Sequence, residues 1–153
     1  MPAKIRRMRR TLLALLLLLL AAGGLPASAQ AQGYADYHGA WQGTLLFSLL
    51  DKDGFQVARH ASSPVQLQIA GDGSVSGQLP AVRCTMAGSA SDFRNGAHAA
   101  LQLALSACHD PRLNGRYQGH LLTSLALEHA SLRIKTAGAF DGQMIEAAGI
   151  LHR

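Results

Sequence analysis

This chain of 153 residues is short of most devices that chemistry uses. It has two cysteines, Cys84 and Cys108, and no Cys-x-x-Cys pair, so a thiolate metal site has too few ligands. Gly-x-Ser-x-Gly is absent, and Ser106, His109 and Asp110 crowd one strand end instead of being spread over the fold as a catalytic triad is. Seven histidines (His38, His60, His98, His109, His120, His129 and His152) include no His-x-His, His-x3-His or Glu-x-x-His spacing. His109 beside Asp110, with His120 close in sequence, is the nearest to a cluster, and surface or capping roles suit these side chains better than metal ligation. Asp51-x-Asp53-Gly54 starts like a calcium loop but lacks the later ligands. Gly71-Asp72-Gly73 has no helix after it and is a hairpin turn, not a phosphate loop. The sequence therefore argues for a protein that is not an enzyme and implies no cofactor.

Long apolar runs are missing too. The longest, residues 12–22, is eleven residues, against the roughly 20 that span a bilayer, so no permanent membrane anchor is expected. Lys4, Arg6, Arg7, Arg9 and Arg10 precede this run, and Ala27-Ser28-Ala29 follows it after Gly23, Gly24 and Pro26. Residues 1–29 thus read as a cleaved signal peptide, and the protein as periplasmic or secreted. The first cysteine is Cys84, which disfavours a lipid-anchored form. Arg9-Arg10-Thr11-Leu12-Leu13 partly resembles a twin-arginine signal, but so apolar a core suits the general secretory route better.

A basic excess is absent once this segment is set aside. The +5 charge of the whole chain belongs to the five cations of the first ten residues; downstream, nine Lys and Arg meet nine Asp and Glu. Nucleic-acid binding depends largely on phosphate neutralisation, so a nucleic-acid partner is excluded on charge. The remaining 124 residues suffice for one domain with a core. Two cysteines in an exported chain predict one Cys84–Cys108 disulfide.

What is present is β pattern. Residues 30–38 lack apolar periodicity and read as a flexible N-terminal arm, with the domain at 39–153. Residues 41–50 form a first strand and 55–60 its partner across the turn Asp51-Lys52-Asp53-Gly54. After Ser62-Ser63-Pro64, residues 65–69 alternate strictly and pair across Gly71-Asp72-Gly73 with 74–79. Strands are expected at 83–88, 97–108, 117–124, 125–135 and 144–151, with Asn95-Gly96, Asn114-Gly115 and Asp141-Gly142 as turns. Leu101, Leu103 and Leu105 alternate with polar or small residues, which selects strand for 97–108 although its Ala and Leu content would also suit a helix.

One frame recurs: Trp41-Gln42-Gly43-Thr44-Leu45, Val75-Ser76-Gly77-Gln78-Leu79, Tyr117-Gln118-Gly119-His120-Leu121 and Ala147-Ala148-Gly149-Ile150-Leu151. Strand side chains alternate, so the first, third and fifth residues share a face. Trp41, Gly43, Gly77, Tyr117, Gly119 and Gly149 are accordingly predicted to be structural core. A glycine on that face permits a sharp bend where a sheet coils on itself. The fold class expected is all-β: a small antiparallel up-and-down barrel of about eight strands with one disulfide.

Gly39-Ala40-Trp41 and the meander pattern resemble the Gly-x-Trp opening of lipocalins and avidins. The resemblance implies a barrel with the Trp plugging one end, and it carries no binding residue across.

Recognition is expected in the loop that leaves Cys108. The bridge holds one end, Pro111 fixes a backbone angle and Asn114-Gly115 turns the chain back. His109, Asp110, Arg112 and Arg116 are the candidate partner-binding residues, Arg112 foremost because a guanidinium pairs with a carboxylate in two places. The plainer alternative has Asp110 and Asn114 capping turns and the arginines solvated. The function expected is a non-enzymatic binding domain acting on a protein partner in the cell envelope, as an inhibitor or an assembly component. Carriage of a small apolar ligand inside the barrel is the second class.

Overall fold

Eight antiparallel strands close into a barrel in chain order in the computed structural model, which describes residues 36–93, 98–124, 128–138 and 142–153. The strands are β1 (Gly39–Leu50), β2 (Gln56–Ile69), β3 (Ser74–Leu79), β4 (Cys84–Phe93), β5 (His98–Ser106), β6 (Gly115–Thr123), β7 (His129–Thr136) and β8 (Met144–His152). β8 returns to β1, Leu151 opposite Gly43 and Gly149 opposite Leu45, so the meander has no open side. The expected signal peptide, most of the expected arm, the Asn95-Gly96 turn and Asp141 lie outside the described residues. Residues 98–106 are strand, as their period of two predicts.

Alternation fills the interior. Leu101, Leu103 and Leu105 are buried and Gln102, Ala104 and Ser106 exposed, and every strand contributes side chains to the same core. In all four recurrent frames the first and fifth residues are buried, and the glycine lies where a neighbouring strand crosses very close. A Cβ on Gly119 would sit 2.0 Å from the Arg133 carbonyl oxygen, on Gly149 2.0 Å from that of Thr44, on Gly43 2.3 Å from that of Ile150, and on Gly77 2.7 Å from that of Gln66. The frame is thus the wall's bending device. Gly88 belongs to the same set, its Cβ position 2.0 Å from the Gln102 carbonyl oxygen, although Met86-Ala87-Gly88-Ser89-Ala90 carries Ala where the other frames carry Leu.

Trp41 closes one end of the barrel. Its ring is buried, its Nε1 donates to the Tyr37 carbonyl at 2.8 Å, and the Arg153 guanidinium lies 4.9 Å from the ring centroid. Arg153 Nη2 also donates to the carbonyls of Asp36 and His38, tying the last residue to the chain before β1. Asp36, Tyr37 and His38 are therefore tied to the barrel, and Tyr37 is 5% exposed because it lies against the core beside Trp41.

A correction concerns β2, which runs unbroken through Ser62, Ser63 and Pro64 instead of dividing there. Between Gln56 and Val65 its only strand neighbour among the described residues is β1, since pairing with β3 starts at Gln66. Proline is tolerated where a strand is paired on one side only. Register shifts opposite Phe47/Ser48 and Leu49/Leu50 make His60 and Val57 extra residues of β2, each a bulge that bends the strand.

Cys84 and Cys108 are bonded, joining the start of β4 to the chain just after β5. Arg83 and Ala107, the residues before them, have φ of 52° and 56°, a left-handed conformation that turns the chain sharply at both ends of the bridge. Unreduced protein in denaturant is expected to take up no maleimide. Closing a loop of 24 residues contributes about 3 kcal/mol in the chain-entropy treatment, so reduction should lower the melting temperature by roughly 10 °C. Two labels per unreduced chain would contradict the bridge in solution.

Candidate functional site

Four connections meet at the end of the barrel opposite Trp41: the β1–β2 turn, the 3-10 turn Pro80–Val82, the β5–β6 connection and the β7–β8 connection. The first three are braced by side-chain hydrogen bonds. Asp51 Oδ1 accepts the backbone N–H groups of Asp53 and Phe55 at 2.9 and 2.8 Å, and Gly54 takes the positive φ its turn requires. The buried Ser63 hydroxyl of β2 accepts the Ala81 N–H at 3.2 Å, holding the 3-10 turn against the strand.

The β5–β6 connection carries the densest set of these bonds of the three. Pro111–Leu113 forms a second 3-10 turn with Asp110 as its N-cap. Asp110 Oδ1 accepts the Arg112 backbone N–H at 3.0 Å, as an aspartate before a short helical turn is suited to do. The Arg112 side chain folds back onto the same carboxylate, Nε at 3.1 Å from Oδ1 and Nη2 at 2.9 Å from Oδ2. His60 Nε2, from the bulge of β2, lies 2.6 Å from Asp110 Oδ2. Asn114 Oδ1 accepts the Cys108 N–H at 3.0 Å, and His109 N–H donates to the Val82 carbonyl at 3.0 Å. Leu113 is fully buried, and its carbonyl accepts the Tyr117 hydroxyl at 3.0 Å. The loop is thus anchored into the core at its tip and to two neighbouring elements at its flanks.

Electrostatics follow this geometry. The Arg112 guanidinium, then the Arg112 backbone N–H, and to a smaller degree His60, hold the Asp110 carboxyl well below the usual carboxylate range. Burial, aided by the Asp110 charge, pushes the Tyr117 hydroxyl up, so it stays protonated and a donor. A carboxylate depressed in the folded state adds stability that is complete above its unfolded pKa, near 3.9, and is lost as pH falls toward the folded value. Asp110→Asn is expected to melt several degrees below the wild type at pH 6, with the gap closing toward pH 2. Parallel melting curves over that range would show that the ion pair contributes nothing.

Of the residues predicted for recognition, the structure brings Asp110 and Arg112 into contact with each other. His109 and Arg116 are exposed on either side of them. Arg116, at the start of β6, lines a concavity of about 450 Å³ together with Arg112, Asn114, Gly138 and Gln143. His120 is remote from this loop, on the outer wall against the Phe93 ring, so the histidine that meets Asp110 is His60. Nothing in the sequence marks His60 for this role, because its position depends on a bulge and on a partner 50 residues away. Among the described residues no group of three or more His, Cys, Asp or Glu side chains could hold a metal ion.

A larger concavity, about 950 Å³, lies on the outer wall across β5–β8, over Gly119 and Gly149. Another of about 690 Å³ lies over Gly77, among Gln42, Gln66, Gln68 and Gln78. No helix among the described residues is long and apolar enough to cross a membrane, and the Cys84–Cys108 bridge is compatible with an exported protein. Searches with this chain against protein-family models, curated proteins and solved structures return no match.

Proposed function

We propose that this chain is an exported, non-enzymatic binding domain that engages a protein partner of the cell envelope through the loops at the disulfide end of its barrel. The observation that carries the reading is the pre-ordered β5–β6 connection: cap, ion pair, disulfide and buried Leu113 hold its backbone, while His109, Arg112 and Arg116 stay exposed. A loop already fixed before contact loses less conformational entropy on binding. Loops on a rigid scaffold are where recognition concentrates. An inhibitor of an extracytoplasmic enzyme and an assembly component are the two kinds of role that suit such a surface.

Protein contact is preferred to carriage of an apolar ligand because of the interior. Tyr117, Phe47, Leu45, Ile69, Leu101, Leu121 and Leu132 each have 2% or less of their surface exposed, which is the close packing of a filled core. Affinity capture from an envelope extract tests the proposal, using wild type, His109→Ala/Arg116→Ala and, as a wall control, Gln66→Ala. Partner recovery is expected to fall about tenfold for the loop variant and to be unchanged for the control, with equal melting temperatures. Undiminished capture by the loop variant refutes the loop reading. A persistent small-molecule adduct in native mass spectrometry of protein from its own host would favour carriage instead.

A further inference from the structure

Four exposed cations gather along one side of this domain. Arg116 on β6 and Lys135 and Arg133 on β7 all point outward, and Arg112 lies just beyond them on the 3-10 turn. Register puts Lys135 level with Gln118 and Arg133 level with His120. Descending the β6–β7 wall from the loop end, cations therefore stand at the level of residue 116, then 118, then 120. Two residues of strand rise about 7 Å, which is the spacing of same-face side chains in an extended chain. Past Arg133 the wall turns apolar, with Leu122 and Ile150 42% and 50% exposed.

The ground between these side chains is hollow. The concavity beside Arg116 and the larger one over Gly119 and Gly149 follow one another along β6 and β7. Two carboxylates stand beside these cations: Asp110, paired with Arg112, and Glu146, level with Lys135 on β8 and 3.8 Å from Arg133. Beyond the expected signal peptide the chain has as many acids as bases, so the strip is a local excess and not a reflection of overall charge.

We infer that the β6–β7 wall is the seat of an extended acidic segment of the partner polypeptide, carboxylates at alternate positions meeting Arg116, Lys135 and Arg133 and an apolar side chain resting on Leu122 and Ile150. This rests on the protein-binding reading above and extends the contact from the loop end down the wall. Alternate carboxylates match the two-residue rise of the cations. The apolar exit selects a polypeptide over an anionic polysaccharide, which has no side chain to place there. The small Ala148 side chain and the bends at Gly119 and Gly149 leave room there for a strand.

The probe is a labelled synthetic peptide, acetyl-Glu-Gly-Glu-Gly-Glu-Gly-Leu-amide, with its three-glutamine counterpart as control, read by fluorescence anisotropy at low ionic strength. Saturable binding of the glutamate peptide is expected, with the glutamine peptide at least tenfold weaker. Arg133→Gln/Lys135→Gln should weaken the glutamate peptide about tenfold without changing the melting temperature, and salt near 0.5 M should abolish the difference between peptides. Leu122→Ser should weaken the leucine-ended peptide more than one ending in glycine. Equal binding of the two charge forms, an unaffected double variant, or binding of a sulfated polysaccharide with no binding of the peptide would each overturn the inference. Capture of an envelope protein that depends on His109 and Arg116 but not on Arg133 and Lys135 would do the same, while leaving the loop reading in place.

Discussion

Gly119→Ala is expected to lower the melting temperature by about 10–15 °C, an unusually large effect for adding one methyl group to a strand. The new Cβ would stand 2.0 Å from the Arg133 carbonyl oxygen and 2.7 Å from the Ile134 Cα. Both obstacles are backbone, so no rotamer change relieves them. β6 is paired to β5 through Leu101 and to β7 through Ile134 at the same level, so moving away from one neighbour disturbs the other. Overpacking in close-packed surroundings costs 1–3 kcal/mol and more where backbone must shift; about 3 kcal/mol corresponds to the stated drop for a domain of this size. Gly149→Ala, with Thr44 oxygen at 2.0 Å, should behave alike, whereas Gly71→Ala, with nothing within 4 Å, should change stability by less than about 0.5 kcal/mol. Differential scanning calorimetry of the three variants decides the matter. Similar melting temperatures for Gly119→Ala and Gly71→Ala would show that the strands have room to part.

Trp41→Ala should be still more damaging, by about 4 kcal/mol or roughly 15 °C. The substitution empties the end of the barrel, leaves the Tyr37 carbonyl without its 2.8 Å donor and removes the surface over which the Arg153 guanidinium lies. Large-to-small replacement of a buried aromatic accounts for most of the effect, and the cation–π contact for about 0.5–1 kcal/mol. Trp41→Phe retains the packing and loses the hydrogen bond, so a loss nearer 1–2 kcal/mol is expected. Because Trp41 is the only tryptophan, its fluorescence reports on this end alone. Wild-type emission should be blue-shifted and shielded from acrylamide, and Arg153→Ala should increase quenching without unfolding the protein. A wild-type spectrum typical of solvated indole would refute the plug.

Most of the fold could be read in advance because its causes are local. Alternation of Leu101, Leu103 and Leu105 with smaller or polar neighbours, Asp-Gly turns at Gly54 and Gly73, and the Trp41, Val75, Tyr117 and Ala147 frames are properties of a few adjacent residues, and each keeps its meaning in the folded chain. The exceptions lie where a distant segment decides. Pro64 is a strand breaker in isolation, yet β2 passes through it because its pairing with β3 begins only at Gln66, so that at Pro64 the described strands meet β2 on the β1 side alone. Tyr37 has no periodic neighbour to announce burial, and it is Arg153, 116 residues away, that closes the end over it.

The candidate site divides along the same line. Asn114-Gly115 as the return of the chain and the Cys84–Cys108 pairing are legible in the sequence, and so is Asp110 as a turn cap, the plainer of its two readings, since each depends on backbone geometry within a few residues or on the absence of any other cysteine. The turn of the Arg112 guanidinium back onto Asp110 is seen only in the folded chain, and the place of His60 rather than His109 or His120 beside that carboxylate and the alignment of Arg116, Lys135 and Arg133 on one wall follow from long-range strand pairing. The physical reason is register: a strand residue's neighbours are set by how far its strand has slid and where it bulges, and one inserted residue in β2 moves an imidazole from solvent to a carboxylate.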